Sequence, residues 1–508
     1  MKKRAIISVS DKTGITEAAK RLEKLGYEII STGGTYKLLK ENGINVTGVS
    51  SITGFPECLD GRVKTLHPTV HAGILAMRDK DEHMKTLEEL DISPVDVVIV
   101  NLYPFRKTVM NPESTFEDAV ENIDIGGPSM LRAAAKNYKD VMVLIDPEDY
   151  EKAFSQLESG EKDLGFRKYL MFKVFSHTAA YDSMISDYLA KDLGIKYPDV
   201  YTMAFEKAEE LRYGENPHQS GALYRDMISH PSDLVNAVQL NGKQLSYNNL
   251  NDANGALALL REFDRPAVVA VKHSNPCGVA EGKTIYEAYM KAYECDPVSI
   301  FGGIIALNRP VDRETAEDMA KIFLEIIIAP DYTDEALAVL TAKTNLRILK
   351  IADIMNDSTE RDFKRINGGL ILQSVDKKLI NEYKVVTKIQ PTERQLADME
   401  FGMKVVKHCK SNAIVVVSKG ATLGIGIGQT NRIWATNQAI EHSLKGVKDA
   451  VMVSDAFFPF SDCVEAAAAA GISAVAHPGG SKNDAQSVEA ADKYGMTMVM
   501  TGIRHFRH

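Results

Sequence analysis

Lys272 and His273 stand side by side at the end of an apolar run, Ala267–Val271. Such a run reads as a buried strand, a rigid mount for whatever follows it. Pro276 and Gly278 then read as the turn that leaves both side chains at the strand's carboxyl end, where open α/β sheets bind ligands. An ammonium beside an imidazole disfavours the imidazolium, so His273 is expected to stay neutral and able to take a proton. A single histidine at a strand end is more often structural. Lysine, Asn275 and a Pro/Gly turn around this one point to general-base chemistry.

Sharper alternatives at this segment fail on residue type. Pro276-Cys277-Gly278-Val279-Ala280 places alanine where a zinc deaminase needs its second cysteine. Cys277 could act as a nucleophile, but no neighbour marks its thiol as activated.

The first part of the chain carries a different set. Ser31-Thr32-Gly33-Gly34-Thr35 follows a strand-like run and opens a helix-like one, the arrangement that closes backbone amides on an anion. Ser10-Asp11-Lys12-Thr13-Gly14 has the same character after the first apolar run. Gly61-Arg62-Val63-Lys64-Thr65 adds two cations and a hydroxyl, and Asn101-Leu102-Tyr103, Ile123-Asp124-Ile125 and Lys136 supply further polar and acid/base groups. Gathered on one sheet edge, they describe a nucleoside-monophosphate pocket.

In the later part, Arg212-Tyr213 offers a phosphate-binding fork beside a ring, and Asp296-Pro297-Val298-Ser299-Ile300-Phe301-Gly302-Gly303 leads into a strand. Gly424, Gly426 and Gly428 alternate, which suits a strand with a close neighbour and lacks the spacing of a dinucleotide loop. Asp455–Asp462 combines aromatic faces with carboxylates that could hold a flat heterocycle.

The elements that must position these residues follow a βαβα rhythm. Strands are expected at Ala5–Val9, Tyr27–Ile30 and Val95–Val100, with helices over Ile15–Leu25, Thr35–Glu41 and Phe166–Ala190. A boundary is expected at Asp192–Pro198. Strands then recur at Ala267–Val271, Ile304–Leu307 and Ile326–Ala329, with helices over Asp252–Glu262 and Thr315–Lys321. From about Asn367 the rhythm restarts, with strands at Ala413–Val417, Leu423–Ile427, Ala450–Val453, Ser473–Ala476 and Met496–Met500. Lys272-His273-Ser274-Asn275 and Lys407-His408…Ser411-Asn412 hint at a duplicated module. At 508 residues more than one domain is required. A net charge of −9 argues against general affinity for nucleic acid or anionic membrane. Five scattered cysteines suit free thiols in a cytoplasmic protein, and the short apolar stretch after Met1-Lys2-Lys3-Arg4 does not make a signal peptide.

Taken together, the strings Ser-Val-Ser-Asp-Lys-Thr-Gly, Arg-Val-Lys-Thr-Leu-His-Pro, Asn-Leu-Tyr-Pro-Phe, Arg-Tyr-Gly-x-Asn-Pro-His-Gln and Asp-Ala-Phe-Phe-Pro-Phe resemble a known family. It is the bifunctional purine-biosynthesis family that joins aminoimidazolecarboxamide ribonucleotide (AICAR) formyltransferase to inosine monophosphate (IMP) cyclohydrolase. The resemblance implies an α/β protein. Residues 1–197 would form a methylglyoxal-synthase-like cyclohydrolase domain, and residues 198–508 a formyltransferase domain of two cytidine-deaminase-like halves, 198–366 and 367–508. It implies a transferase and hydrolase acting on AICAR, formyl-AICAR and IMP, with 10-formyltetrahydrofolate as co-substrate. It further implies a homodimer, no catalytic metal, and room for a structural monovalent cation.

Carried over by motif, His273 would be the formyltransferase base with Lys272 beside it. AICAR would meet Arg212, Tyr213, His273, Gly302, Asn412, Arg432, Phe457 and Arg504, and folate Ile433, Asp462, Ser481 and Lys482. Glu325 stands near the position of a family aspartate. In the cyclohydrolase site Ser10, Asp11, Lys12, Thr32, Gly33, Gly34, Thr35, Arg62, Val63, Lys64, Thr65, Asn101, Asp124 and Ile125 would surround the nucleotide. Lys136 would move the proton, with Tyr103, Lys64 and Asp124 close by. Two other functions are carried: a first domain that only senses nucleotide, and a second domain that deaminates with zinc.

Overall fold

The apolar runs of the first two hundred residues become β1 (Arg4–Ser8), β2 (Glu28–Ser31), β3 (Val46–Gly48), β4 (Val97–Val100) and β5 (Met142–Leu144). All pair in parallel, in the order β3-β2-β1-β4-β5. β4 is buried along its whole length, as a central parallel strand covered on both faces must be. The Ile15–Lys24 helix turns Ile15, Ala18, Ala19 and Leu22 to the sheet at the spacing of one helical face. The computed structural model describes residues 2–508. The chain divides into two compact units, one running to Glu206 with Asp226–Ile228, the other comprising Lys207–Arg225 and Ser229–His508.

β6 (Phe205–Leu211) and β7 (Gly221–Asp226) make a two-stranded ribbon. Beyond it the second unit is built on a twelve-stranded sheet. Its first half comprises β8 (Val238–Asn241), β9 (Ala267–Lys272), β10 (Asn275–Glu281), β11 (Ile304–Leu307), β12 (Ile326–Ala329) and β13 (Arg347–Lys350). A separate hairpin, β14 (Arg361–Ile366) and β15 (Gly369–Ser374), precedes the second half. That half comprises β16 (Lys384–Val385), β17 (Ile414–Ser418), β18 (Ala421–Gly426), β19 (Val451–Ser454), β20 (Ala474–His477) and β21 (Thr497–Met500). The sheet order is β16-β21-β20-β19-β17-β18-β10-β9-β11-β12-β13-β8. Read outward from the antiparallel β10–β18 junction, the halves have the same strand order, so the module is duplicated.

The fragments that suggested duplication are not its equivalent parts. Lys272-His273 follows β9, whereas Lys407-His408 ends the Glu393–Val406 helix ahead of β17. In the second half the position of His273-Ser274 is taken by Lys419-Gly420, between β17 and β18. The expected division of the halves at 366/367 falls on the turn of the β14–β15 hairpin. Asn367-Gly368 is a hairpin turn, and the second rhythm starts only after the ribbon.

Alternation places Val269 and Val271 in a core beneath the Tyr247–Leu260 and Glu393–Val406 helices, and Val268 and Ala270 in another on the opposite face. The glycines of β18 let the Arg432–Glu441 helix lie against the strand: a Cβ on Gly424 or Gly426 would overlap a helix carbonyl oxygen, of Ala439 or Ala435. Gly278 does the same for β10 against Ala292. Among the described residues no helix is long and apolar enough to cross a membrane.

Candidate active sites

In the first unit the strand after β1 lies on one side of it and β4 on the other, so the loops leaving β1 and β4 part above a crevice. A cavity of about 620 Å³ opens there. Asn101, just past β4, staples the β1 loop: its Oδ1 accepts the amides of Ser10 (2.6 Å) and Asp11 (3.0 Å), and its Nδ2 donates to the Asp11 carbonyl. In the Gly33–Glu41 helix the first amide to bond back is that of Tyr36, to Thr32, leaving the amides ahead of it without intrahelical partners. Gly33, Gly34 and Thr35, which carry them, line the cavity, a setting that suits a phosphate. Lys12 is drawn in to donate to Thr35 Oγ1 at 2.7 Å, and burial lowers its pKa.

The cations at the mouth are already paired. Lys64 lies 3.0 Å from Glu57, and Arg62 is bound to Glu121. At the other wall Asp124 accepts the amides of Gly127 (2.8 Å) and Tyr103 (3.4 Å), while burial raises its carboxyl above the usual range. The Asp124 amide donates to Tyr181 Oη at 2.8 Å, which fixes the segment.

Of the residues expected here, Ser10, Lys12, Thr32, Gly33, Gly34, Thr35, Arg62, Lys64, Thr65, Asn101, Tyr103, Asp124 and Ile125 line the cavity. Asp11 and Val63 do not. The Asp11 carboxylate turns back on Thr13, and Val63 bridges to Cys58. Lys136 is exposed at the far end of the Gly126–Lys136 helix, whose last lining residue is Met130. Six residues at helical rise put it roughly 9 Å further along the axis. Glu121 was not foreseen as part of this site: nothing in its spacing separates it from a solvated surface charge.

In the second unit the Lys272–His273 segment is a hairpin tip. Lys272 pairs with Asn275, so the turn consists of His273 and Ser274, with φ of 52° and 58°. Both values are positive, as a type I′ turn requires. Outside glycine such residues cost of order 1–3 kcal/mol each and cluster at functional sites. Pro276 and Gly278, expected to make the turn, lie after it in β10, where the register shifts between them. Lys272 Nζ donates to the Phe301 carbonyl at 3.0 Å, beside Gly302, whose φ of 74° favours glycine. No group among the described residues hydrogen-bonds the exposed His273 ring.

The Tyr247–Leu260 helix anchors this set. Asn248 donates to the Glu215 carbonyl, holding the loop that carries Arg212 and Tyr213, and Asp252 accepts from the His273–Ser274 turn. Glu325 lies on the same edge, its amide on the Gly303 carbonyl, but its carboxylate is 2.7 Å from the Arg347 guanidinium. Burial pushes the Cys277 thiol up to about 12, which leaves it unreactive.

A second set gathers around β17, β19 and β20. Arg432 is only 5 % exposed; it binds Asp455 and Asn412 and donates to Ser454 Oγ at 2.9 Å. Its fork is therefore occupied by the protein, where it orients Asn412. Phe457 and Asp462 follow β19, Ser481 and Lys482 follow β20, and Asn483 ties the two loops together through the Pro459 carbonyl. Ile433 lies in the first turn of the Arg432–Glu441 helix, and Arg504 stacks on Phe506 in the terminal segment that runs past Asp455. β10 and β18 separate β9 from β17, so the two sets stand about 14 Å apart along one sheet edge at ordinary strand spacing.

Known proteins match along the whole chain. A family described as "AICARFT/IMPCHase bienzyme" matches residues 134–442, and an "MGS-like domain" matches residues 14–129. The bifunctional purine biosynthesis protein PurH of Thermoanaerobacter sp. (strain X514) is 57% identical over 511 residues, covering 100% of both chains. Those of Ruminiclostridium cellulolyticum and Caldicellulosiruptor saccharolyticus are 55% and 56% identical, again over 100% of each. The chain belongs to the AICARFT/IMPCHase bienzyme family and is a bifunctional, folate-dependent formyltransferase and cyclohydrolase of purine biosynthesis.

Proposed function

We propose that the edge of the twelve-stranded sheet transfers the formyl group, with His273 as base, and that the cavity of the first unit closes the ring. The observation that carries the first assignment is the strained His273–Ser274 turn, which holds an imidazole without a hydrogen-bond partner among the described residues next to the Lys272 side chain. The 5-amino nitrogen of AICAR attacks the formyl carbon of 10-formyltetrahydrofolate. A carbon–nitrogen bond forms as the bond to folate N10 breaks. The amine proton passes to His273 and is returned to N10, while Lys272 steadies the oxyanion. AICAR meets Arg212, Tyr213 and Gly302 beside this turn. Folate lies against Ile433, Phe457, Asp462, Ser481 and Lys482.

For ring closure, the carboxamide nitrogen of formyl-AICAR attacks its own formyl carbon and water leaves. The reacting atoms belong to one molecule, so positioning supplies much of the rate. The helix amides at Gly33–Thr35 take the phosphate, and Lys64, Tyr103 and Asp124 move the protons. Lys136 receives no role within a single chain.

The spacing of the two edge sets supports a homodimer. AICAR is too short to touch both Gly302 and Asn412 across four strand steps, roughly 19 Å. A second copy would bring one chain's His273 set against its partner's Asn412 set. The outward hairpin β14–β15, with Phe363, Ile366 and Ile371 exposed, is an arm that a partner would cover. The free thiols suit a cytoplasmic setting.

The test supplies AICAR with 10-formyltetrahydrofolate, and formyl-AICAR separately, to His273→Ala. Formyl transfer should be lost and ring closure kept; equal loss of both overturns the assignment.

A further inference from the structure

The two residues of the catalytic turn are held by one carboxylate. Asp252, in the second turn of the Tyr247–Leu260 helix, accepts the His273 amide on Oδ2 (3.3 Å) and the Ser274 amide on Oδ1 (2.8 Å). Oδ1 also accepts the Ser274 hydroxyl at 3.0 Å. Successive amides in left-handed conformation form a concavity that attracts an anion, and here the protein fills it with its own side chain. The equivalent turn of the other half is held by the equivalent carboxylate, Asp398, which accepts the Gly420 amide at 2.9 Å, but there glycine occupies the second position and only one amide is held.

We infer that Asp252 is a positioning residue for formyl transfer, locking the left-handed His273–Ser274 turn so that the imidazole is presented to the reacting amine. The inference rests on His273 being the base. Asp252 bonds the turn's amides and the Ser274 hydroxyl, and it makes no hydrogen bond to the imidazole. It acts through the backbone, and its loss lets a turn of two non-glycine residues relax toward negative φ, swinging the ring away. Asn251 bounds the idea from the other side: its Nδ2 donates to the Ser274 hydroxyl at 2.8 Å and supports the turn without holding an amide.

The experiment compares Asp252→Asn, Asn251→Ala and Asp252→Asn/Ser274→Gly in the full-length enzyme, with ring closure of supplied formyl-AICAR as the folding control. Asparagine keeps one acceptor and turns its Nδ2 toward the other amide. Asp252→Asn should lower formyl-transfer kcat at least tenfold, with KM for AICAR within threefold and ring closure unchanged. Asn251→Ala should stay within threefold of the parent. Glycine at 274 adopts the left-handed conformation without cost, so the double variant should recover at least threefold in kcat over Asp252→Asn. A general packing role gives no such rescue. A kcat for Asp252→Asn within twofold of the parent, or a double variant no faster than the single one, overturns the inference. If instead His273→Ala retains formyl transfer, the assignment of the base itself has failed.

Discussion

Gly127 and Asp124 are fitted to one another at atomic range: the Gly127 amide donates to Asp124 Oδ1 at 2.8 Å, and a Cβ on Gly127 would stand 2.5 Å from Oδ2. Only glycine permits both. Gly127→Ala should push the carboxylate off the cavity wall and lower the ring-closure kcat at least tenfold, because a misplaced acid/base group forfeits most of its effect. Formyl transfer should be unchanged. Paired assays on one preparation check this, and an alanine variant with full ring-closure activity would show that Asp124 is not needed where it stands.

The pH dependence of ring closure tests the same carboxyl. Burial raises its pKa above the ordinary 3.8, against the two amide hydrogen bonds that favour the ionised form. Acting as a proton acceptor, it must be ionised, so the rate should fall as pH drops through this raised value. The acid limb therefore lies higher than an ordinary aspartate would put it. Asp124→Asn should remove that limb and lower kcat by about 10²–10⁴-fold, the usual contribution of such a group. A variant whose profile keeps the same acid limb would assign the limb to another residue.

Most strands of the two sheets were legible in the sequence because β-branched runs such as Ala267–Val271 and Ile326–Ala329 can satisfy themselves only as buried strands. β3, β5, β8, β10, β13 and β16, which are short or broken by glycine, proline or charge, were not. The Ser31–Thr35 loop was legible as a strand-to-helix turn for a similar reason: two glycines between a strand and a helix mark a tight turn, and the structure sets that turn on the cavity wall. What escaped depended on partners distant in the chain. The His273–Ser274 turn carries neither Asn-Gly nor Asp-Gly, so nothing local announces it, and its conformation is held by Asp252. Asp252 was itself misplaced at the start of its helix. The Tyr247-Asn248-Asn249 segment resembles a loop, yet Ser246 and Asn249 cap one another and begin the helix there. Arg432 looked like a ligand fork, and only the fold reveals Asp455 at the other end of its charge.

Glu121 and Arg62 make an ion pair at the cavity mouth that the sequence did not suggest. A nucleotide phosphate seeking Arg62 has to compete with that carboxylate. The pair is solvent-exposed and screened, so it holds the guanidinium only weakly. Glu121→Gln should therefore lower KM for formyl-AICAR modestly, with kcat little changed. The gain should shrink as salt screens the parent pair. A raised KM would mean that Glu121 contacts the substrate instead of competing with it.

His477, at the end of β20, is fully buried against Phe458, and burial holds its pKa down at about 4 against an ordinary 6.5. Its Nδ1 accepts the Gly479 amide at 3.1 Å, so the neutral ring is the folded form. The linkage has a definite sign. Below pH 6.5 the unfolded chain gains a proton that the folded chain refuses until about pH 4, so stability falls with acid across that window. The full effect is about 3 kcal/mol. His71, His177 and His408 are also held below their ordinary value, so the parent should keep some acid sensitivity from them. In His477→Gln, whose side chain can still accept the Gly479 amide, the loss on going from pH 7.5 to 4.5 should be smaller than in the parent by about 2–3 kcal/mol. Urea unfolding at the two pH values measures it, with the slope required to stay constant so that the midpoint shift reports stability. Equal acid sensitivity in parent and variant would mean that His477 takes up its proton in the folded state as readily as in the unfolded one.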